Sequence, residues 1–308
     1  MNKIPLEATI SAAYRFLFTR ILSVLGTVWL PLLVMAVLAG GIIFAVVPPE
    51  WWHGQFPVAF GDKQPDLPQI LALFRPFFIG MPPLILISLV LNAMMMVGLL
   101  RLSLGQTRSQ YIFFSLGGDV WRVVLAMLLL IVILVLFYVV CAGVAVGASL
   151  LLKPFIPHGA WVVATVVLVI AAVCYPIYAI VRLYFFLPAT IVAQHRIGFS
   201  HSWGLGRGNF WRIVLIFLVI VIPVGIVTGM VSNIAVMPIM ASQLMQFQHH
   251  HHPSLADVFA LFHAMVPLLP IMIGVGVVQR IAVTALMAGA AGSAYNALTP
   301  KQEENAAA

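Results

Sequence analysis

The chain has 308 residues, of which 63% are hydrophobic and only 7% charged, with a mean hydropathy of +1.12 and a formal net charge of +7. Soluble domains carry about 25% charged residues, so these charges cannot cover a solvated surface, and a soluble globular fold is excluded. The basic balance is not gathered on one solvated face, which argues against nucleic-acid binding; it fits membrane topology and attraction to anionic lipid.

Residues 7–20 place Ile10, Ala13, Tyr14, Leu17 and Ile21 on one helical face, with Thr9, Ser11, Arg15 and Thr19 elsewhere. That pattern predicts an amphipathic helix lying in the membrane interface. A span needs about 20 apolar residues to cross a hydrocarbon core roughly 30 Å thick. Six stretches qualify, near 21–47, 76–100, 123–152, 160–187, 213–240 and 264–290. Each is expected to be a helix, because an open strand would leave backbone groups unpaired in lipid. The first exceeds a signal-peptide core of roughly 7–15 residues and is expected to be a retained span. The longest connection, 48–75, opens with "PPEWWHGQFPVAFGDKQPDLPQ". Its proline and glycine density predicts an irregular loop, with Trp51 and Trp52 at an interfacial aromatic belt.

Cys141 and Cys174 lie in apolar runs, form no C-x-x-C and read as packed or lipid-facing thiols. Met94, Met95 and Met96 point in different directions on a helix, which suits adaptable packing rather than soft-metal binding. Pro223, Pro238, Pro267 and Pro270 predict breaks or kinks in the last two spans. No segment is long enough for a separate soluble domain. The expected architecture is a single all-α, polytopic membrane domain over residues 1–308. Its six transmembrane helices form three pairs, each preceded by a short interfacial helix.

An internal repeat supports the pairing. "GDVWRVVL" at 118–125 aligns with "GNFWRIVL" at 208–215, and "FLFTRILSV" at 16–24 is a weaker third copy sharing Phe18, Arg20 and Ile21. Each opens an odd-numbered span. Each even span is expected to end with an arginine near the cytoplasmic face: Arg101, Arg182 and Arg280. With both termini in the cytoplasm, twelve of the 15 Lys and Arg fall inside. Lys63, Arg75 and Lys153 fall outside, a strong asymmetry by the positive-inside rule. Asn209 and Asp119 are suited to cap the helices that follow. Trp211 and Trp121 suit the headgroup level. Arg122, Arg182 and Arg212 are candidates to reach lipid phosphates.

The stretch "SHSWGLGRGNFWRIVLIFLVIVIP" resembles the signature of a bacterial family of multi-span proteins. That family includes the membrane domain beside glycerophosphoryl diester phosphodiesterases and related domains of unknown function. Ser202, Trp203, Leu205, Gly208, Asn209, Phe210, Trp211 and Arg212 carry the resemblance. The start, "ATISAAYRFLFTRILSVLGTVWLPLL", and the end, "AGSAYNALTP" with Tyr295 and Leu298, are similar to the family's first and closing segments. The resemblance implies the six-span architecture. It implies no activity, because the family's enzymes carry their chemistry on a separate soluble domain that these 308 residues do not contain.

None of the eight acidic residues falls in the middle of an expected span. Intramembrane carboxylates mark most proton and cation relays, so a proton-coupled transporter is disfavoured. "GLGRG" at 204–208 lacks the spacing, the following Lys-Ser and the preceding strand of a phosphate loop. The run His249, His250, His251 and His252 is a weak metal-binding candidate, because adjacent residues rarely supply convergent geometry. No cofactor is expected. The leading expectation is a non-enzymatic protein of the bacterial inner membrane that handles or senses a lipid or another amphiphile. Its expected partners are anionic membrane lipids, with a membrane-protein partner or a second copy of the chain also open. A small-molecule permease or exporter subunit and a scaffold subunit of an envelope complex are the alternatives.

Overall fold

The computed structural model describes residues 3–46, 67–107, 113–152, 158–249 and 266–299. Among these residues are eight α-helices and no strand. They are α1 (Leu6–Thr19), α2 (Ile21–Val46), α3 (Leu67–Ser103), α4 (Gly118–Leu152), α5 (His158–Gln194), α6 (Phe199–Gly206), α7 (Phe210–His249) and α8 (Leu269–Leu298). A 3-10 turn, Val266–Leu268, leads into α8. Helices α2, α3, α4, α5, α7 and α8 are each long and apolar enough to cross a membrane. The chain is therefore an all-α, multi-pass membrane protein. Short helices precede the first and third pairs, as α1 and α6. Ahead of the second pair, residues 113–117 are irregular, and 108–112 lie outside the described residues.

Two boundaries differ from expectation. Helix α3 begins at Leu67, so residues 67–75 are helical rather than part of an irregular loop. Leu67, Ile70, Leu71 and Phe74 already repeat at helical spacing, a signal masked by the prolines before them. Trp51 and Trp52 lie outside the described residues. Helix α8 starts five residues later than position 264 and ends eight residues beyond 290. Pro267 and Pro270 therefore sit in its lead-in and first turn, where a missing N–H costs nothing. They do not kink a span. Pro223 and Pro238 do lie inside α7.

The core gathers at one end of the bundle, which forms its base. Ile4, Ala13, Val24, Val28, Met94, Met95, Leu99, Phe185, Phe186, Ile191, Ile213, Ile216 and Ala290 are all buried there. Toward the other end the helices turn apolar side chains outward: Leu136, Val139 and Val140 on α4, and Val163, Val167 and Ile170 on α5. That surface suits hydrocarbon, whose tails are as apolar as these side chains.

The C-terminal half of α8 is the centre of the base. Ala285, Leu286, Ala288, Gly289, Ala290, Ala291, Gly292 and Ala294 are buried on every side. Helices α1, α2, α3, α5 and α7 all contact α8. A helix buried all round has no polar stripe, and small residues let neighbouring backbones come close. A Cβ on Gly289 would stand 3.2 Å from the Ala13 Cα and 3.1 Å from the Phe16 ring. A Cβ on Gly292 would collide with the Ser103 hydroxyl.

This packing also corrects the face of α1. Its buried stripe is Thr9, Ala13 and Phe16, facing α8. Ile10, Tyr14 and Leu17, expected at its centre, are only partly buried beside the core. Phe18 is 67% exposed, which suits lipid contact. The Tyr14 hydroxyl donates to the Val219 carbonyl at 3.0 Å, and Arg20 Nη1 donates to the Leu102 carbonyl at 3.2 Å. So α1 is fastened to α7, α8 and the end of α3, and does not simply float on the bilayer surface.

Gly289→Val should lower the melting temperature in detergent, with an overpacking cost of about 1–3 kcal/mol. Gly276→Ala, with nothing within 4 Å of its added Cβ, should leave it unchanged or slightly raised. Equal melting temperatures for the two variants would show that α1 does not depend on a small residue at Gly289.

Candidate functional site

Three polar assemblies hold the base. The first is built on Asp119, the second residue of α4. The sequence suggested a helix cap, but Asp119 lies inside the helix, and its carboxylate faces three cationic or potentially cationic groups. Arg101 Nη2 donates to Oδ2 at 2.6 Å, and Arg122 Nη1 donates to Oδ1 at 2.8 Å. His195 Nδ1 lies 3.0 and 3.1 Å from the two oxygens. Asp119 is 3% exposed, so this one carboxylate joins the ends of α3 and α5 to the start of α4. His195, with φ of 52°, makes the turn that ends α5. Arg122 is thus held by a protein acid at helical i,i+3 spacing, while its side chain stays 41% exposed.

The second assembly surrounds Arg182 of α5, which is 4% exposed. Its Nε and Nη2 both donate to the Trp203 carbonyl, at 3.2 and 2.9 Å, and Nη1 donates to the Tyr178 hydroxyl at 2.9 Å. The guanidinium lies 4.0 Å from the Trp203 ring centre, a cation–π contact that gains strength when desolvated. Gly206 makes room for it, since a Cβ there would collide with the Arg182 side chain. Arg182 therefore anchors α6 to α5, and its donors are aimed at protein.

The third assembly is the 208–212 elbow. Gly208 has φ of 77°, and α7 begins at Phe210. Asn209 stands at the cap position, and its carbonyl accepts the first helical bond, from Ile213 N–H at 2.9 Å. Its Oδ1 accepts the Ile4 N–H at 3.0 Å. Arg212 Nη1 donates to the Ile4 carbonyl. Both backbone groups of Ile4, itself fully buried, are thus taken up by one elbow across the bundle. Trp121 and Trp211 are exposed, 53% and 74%, as belt residues should be. The twin motifs share their order of residues but not their partners: Arg122 meets a carboxylate, Arg212 a backbone carbonyl.

Above the base lies a polar cluster that sequence reasoning missed. Arg280 Nε donates to Asn92 Oδ1 at 3.1 Å, and its Nη2 donates to Ser88 Oγ at 3.3 Å. Asn92 Nδ2 donates in turn to Ser88 Oγ at 3.2 Å. Arg280 was expected near a membrane face. The later course of α8 moves it inward, 12 residues or about 18 Å from Gly292 at 1.5 Å per residue. Ser103 packs at the level of Gly292, and Asn92 lies 11 residues, about 16 Å, before it. The cluster is thus roughly half-way along α8 and along the membrane-spanning stretch Phe78–Ser103 of α3. Ser88 and Asn92 line an open cleft of about 400 Å³ on the side of α3, with Leu84, Ile85 and Leu89 as its apolar walls. The i,i+4 pair Ser88 and Asn92 inside an apolar run was the available signal. It lacked meaning until Arg280 was placed beside it.

Other candidates are not brought together. His249 is the last residue of α7, and His250, His251 and His252 lie outside the described residues. Among the described residues no three His, Cys, Asp or Glu side chains converge on a metal position.

The unequal elbows make a direct prediction. Arg212→Gln should free the N-terminal segment, raising amide exchange at Ile4 and its neighbours by about tenfold, the effect expected for losing one charge-assisted bond. Arg122→Gln should leave exchange there unchanged. Similar exchange in both variants would mean that Arg212 does not hold the segment.

Comparison with protein-family models, with curated proteins and with solved structures finds no match for this chain.

Proposed function

We propose that this chain is a non-enzymatic protein of the bacterial inner membrane that binds an amphiphile from within the bilayer, head group against Arg280 and tail against the outer wall of α3. The observation that carries this is a guanidinium half-way along a span whose bonds go to the neutral Asn92 and Ser88. Among the described residues no carboxylate is bonded to it. An arginine at the centre of a span costs about 2.5–3.5 kcal/mol on insertion scales, and an anionic group would offset part of that. The adjoining cleft is polar where Ser88 and Asn92 reach it and apolar at Leu84, Ile85 and Leu89. That division matches a molecule with a head and a tail. Its lateral position favours arrival through the lipid phase over a permease route.

The termini are assigned to the cytoplasm, because the positive charges of the base outnumber those of the other end. Impermeant labelling in intact cells should reach a cysteine at position 61 and not one at 207; the reverse result would invert the orientation.

The binding reading is tested by native mass spectrometry of the full chain with phosphatidylglycerol. Arg280→Gln should reduce retained lipid by about tenfold, as expected for one charge-assisted bond, and Arg280→Lys should restore part of it. Wild-type retention in Arg280→Gln, in a protein with unchanged melting temperature, would end the proposal.

A further inference from the structure

The base carries a second concave feature, remote from the cleft. Between the end of α5 and the start of α6 lies an open depression of about 700 Å³. Arg196, Ser200, His201, Gly204 and Arg207 line it, with Leu298 at its edge. Leu298 is 18 residues beyond Arg280 along α8, about 27 Å, so the two features are separate.

Among the described residues its charge is not compensated. Glu7 and Asp119 are the two carboxylates among the described residues, and Asp119 is already shared by Arg101, Arg122 and His195. Arg196 is oriented by its Nε, which donates to Gln194 Oε1 at 3.1 Å, and Gln194 Nε2 donates to the Tyr295 hydroxyl at 3.4 Å. That chain of bonds fixes the stem and leaves the two terminal nitrogens of Arg196 without a partner among the described residues. Arg207 is exposed, and its guanidinium is likewise unpaired among them.

Backbone donors and an unpaired ring nitrogen belong to the same turn. The start of α6 has Gly198 at its cap position and no side-chain cap, so the first-turn N–H groups have no side-chain acceptor. Such groups favour an anion. Gly198, Ser200 and His201 of this turn all line the depression. His201 Nε2 is shielded from solvent and has no hydrogen-bond partner among the described residues.

We propose that this depression binds a phosphate group, held by Arg196 and Arg207 and capped by the first turn of α6. Planar guanidinium forks match phosphate oxygens in pairs, and the Ser200 hydroxyl is placed to add a neutral bond. The phosphate belongs either to the head group of an anionic phospholipid of the adjacent leaflet or to a soluble phosphorylated compound. Both sources use the same donors. This inference does not depend on the amphiphile reading of the Arg280 cleft.

The test uses the full chain and the double variant Arg196→Gln with Arg207→Gln. Both side chains are exposed, so folding should persist; Arg207→Gln alone serves if it does not. Arg15→Gln, an exposed arginine of α1, controls for loss of positive charge. In the first arm, inorganic phosphate is titrated against thermal unfolding in phosphatidylcholine nanodiscs, with potassium chloride matching the ionic strength. In the second, native mass spectrometry compares retained phosphatidylglycerol with phosphatidylcholine. The double variant should weaken binding by about tenfold or more in at least one arm, as expected when charge-assisted bonds are lost. Loss in the phosphate arm identifies a soluble source; loss in the lipid arm alone identifies a head group. A double variant that matches Arg15→Gln in both arms overturns the site.

Discussion

Between helices in hydrocarbon there is no hydrophobic force to speak of, since lipid tails are as apolar as leucine. What holds this bundle is the closeness with which other backbones reach the C-terminal half of α8. Gly289 admits Ala13 and Phe16 of α1, and Gly292 admits Ser103 at the end of α3. Each larger side chain at those positions would push a whole helix outward. Because α8 is buried on all sides there, no displacement can be absorbed on one face alone. The polar assemblies of the base all depend on this arrangement, for α8 fixes the distances among α1, α3, α5 and α7.

On that packed base, charge is used sparingly. One buried carboxylate serves Arg101, Arg122 and His195. Arg182 is held by a carbonyl, a hydroxyl and the face of Trp203. Arg212 grips the backbone at Ile4. A cation away from water needs hydrogen-bond acceptors more than it needs an acid, and this chain supplies carbonyls and hydroxyls where it has few acids. Three other arginines, Arg280, Arg196 and Arg207, lie beside concave surfaces. Arg280 has two neutral partners beside a cleft; at the depression, Arg196 is bonded through its Nε to Gln194, and Arg207 is unpaired among the described residues.

Among the described residues, packing differs between the base and the far halves of the helices. Described core residues concentrate near the termini, while the far halves of α4 and α5 show apolar side chains outward. Closely packed regions resist local opening, and regions with fewer buried contacts open more easily. The Arg280 cluster lies where one gives way to the other. The adjoining cleft is lined, among the described residues, by α3 alone.

Much of the architecture was legible in the sequence. Six long apolar runs, seven per cent charge and clustered arginines leave no fold but a helical bundle in a membrane. The first helix, though not its buried face, and the elbow at 208–212 were legible too, since period and cap residues are local properties. Partners were not, because they depend on which helices meet. The matched frames around Trp121 and Trp211 pointed to matched roles, yet Asp119 found Arg101 and His195, while Asn209 and Arg212 found Ile4. Hydropathy placed the end of the last span at 290, because "GAAGSAYNAL" is too mild to read as membrane-embedded. Tertiary packing extended that span, since small residues are worth more against other backbones than their hydropathy suggests. That shift carried Arg280 into the bilayer beside Ser88 and Asn92, nearly two hundred residues away in the chain. Local pattern determined the helices; the approach of backbones around α8 decided which polar groups meet.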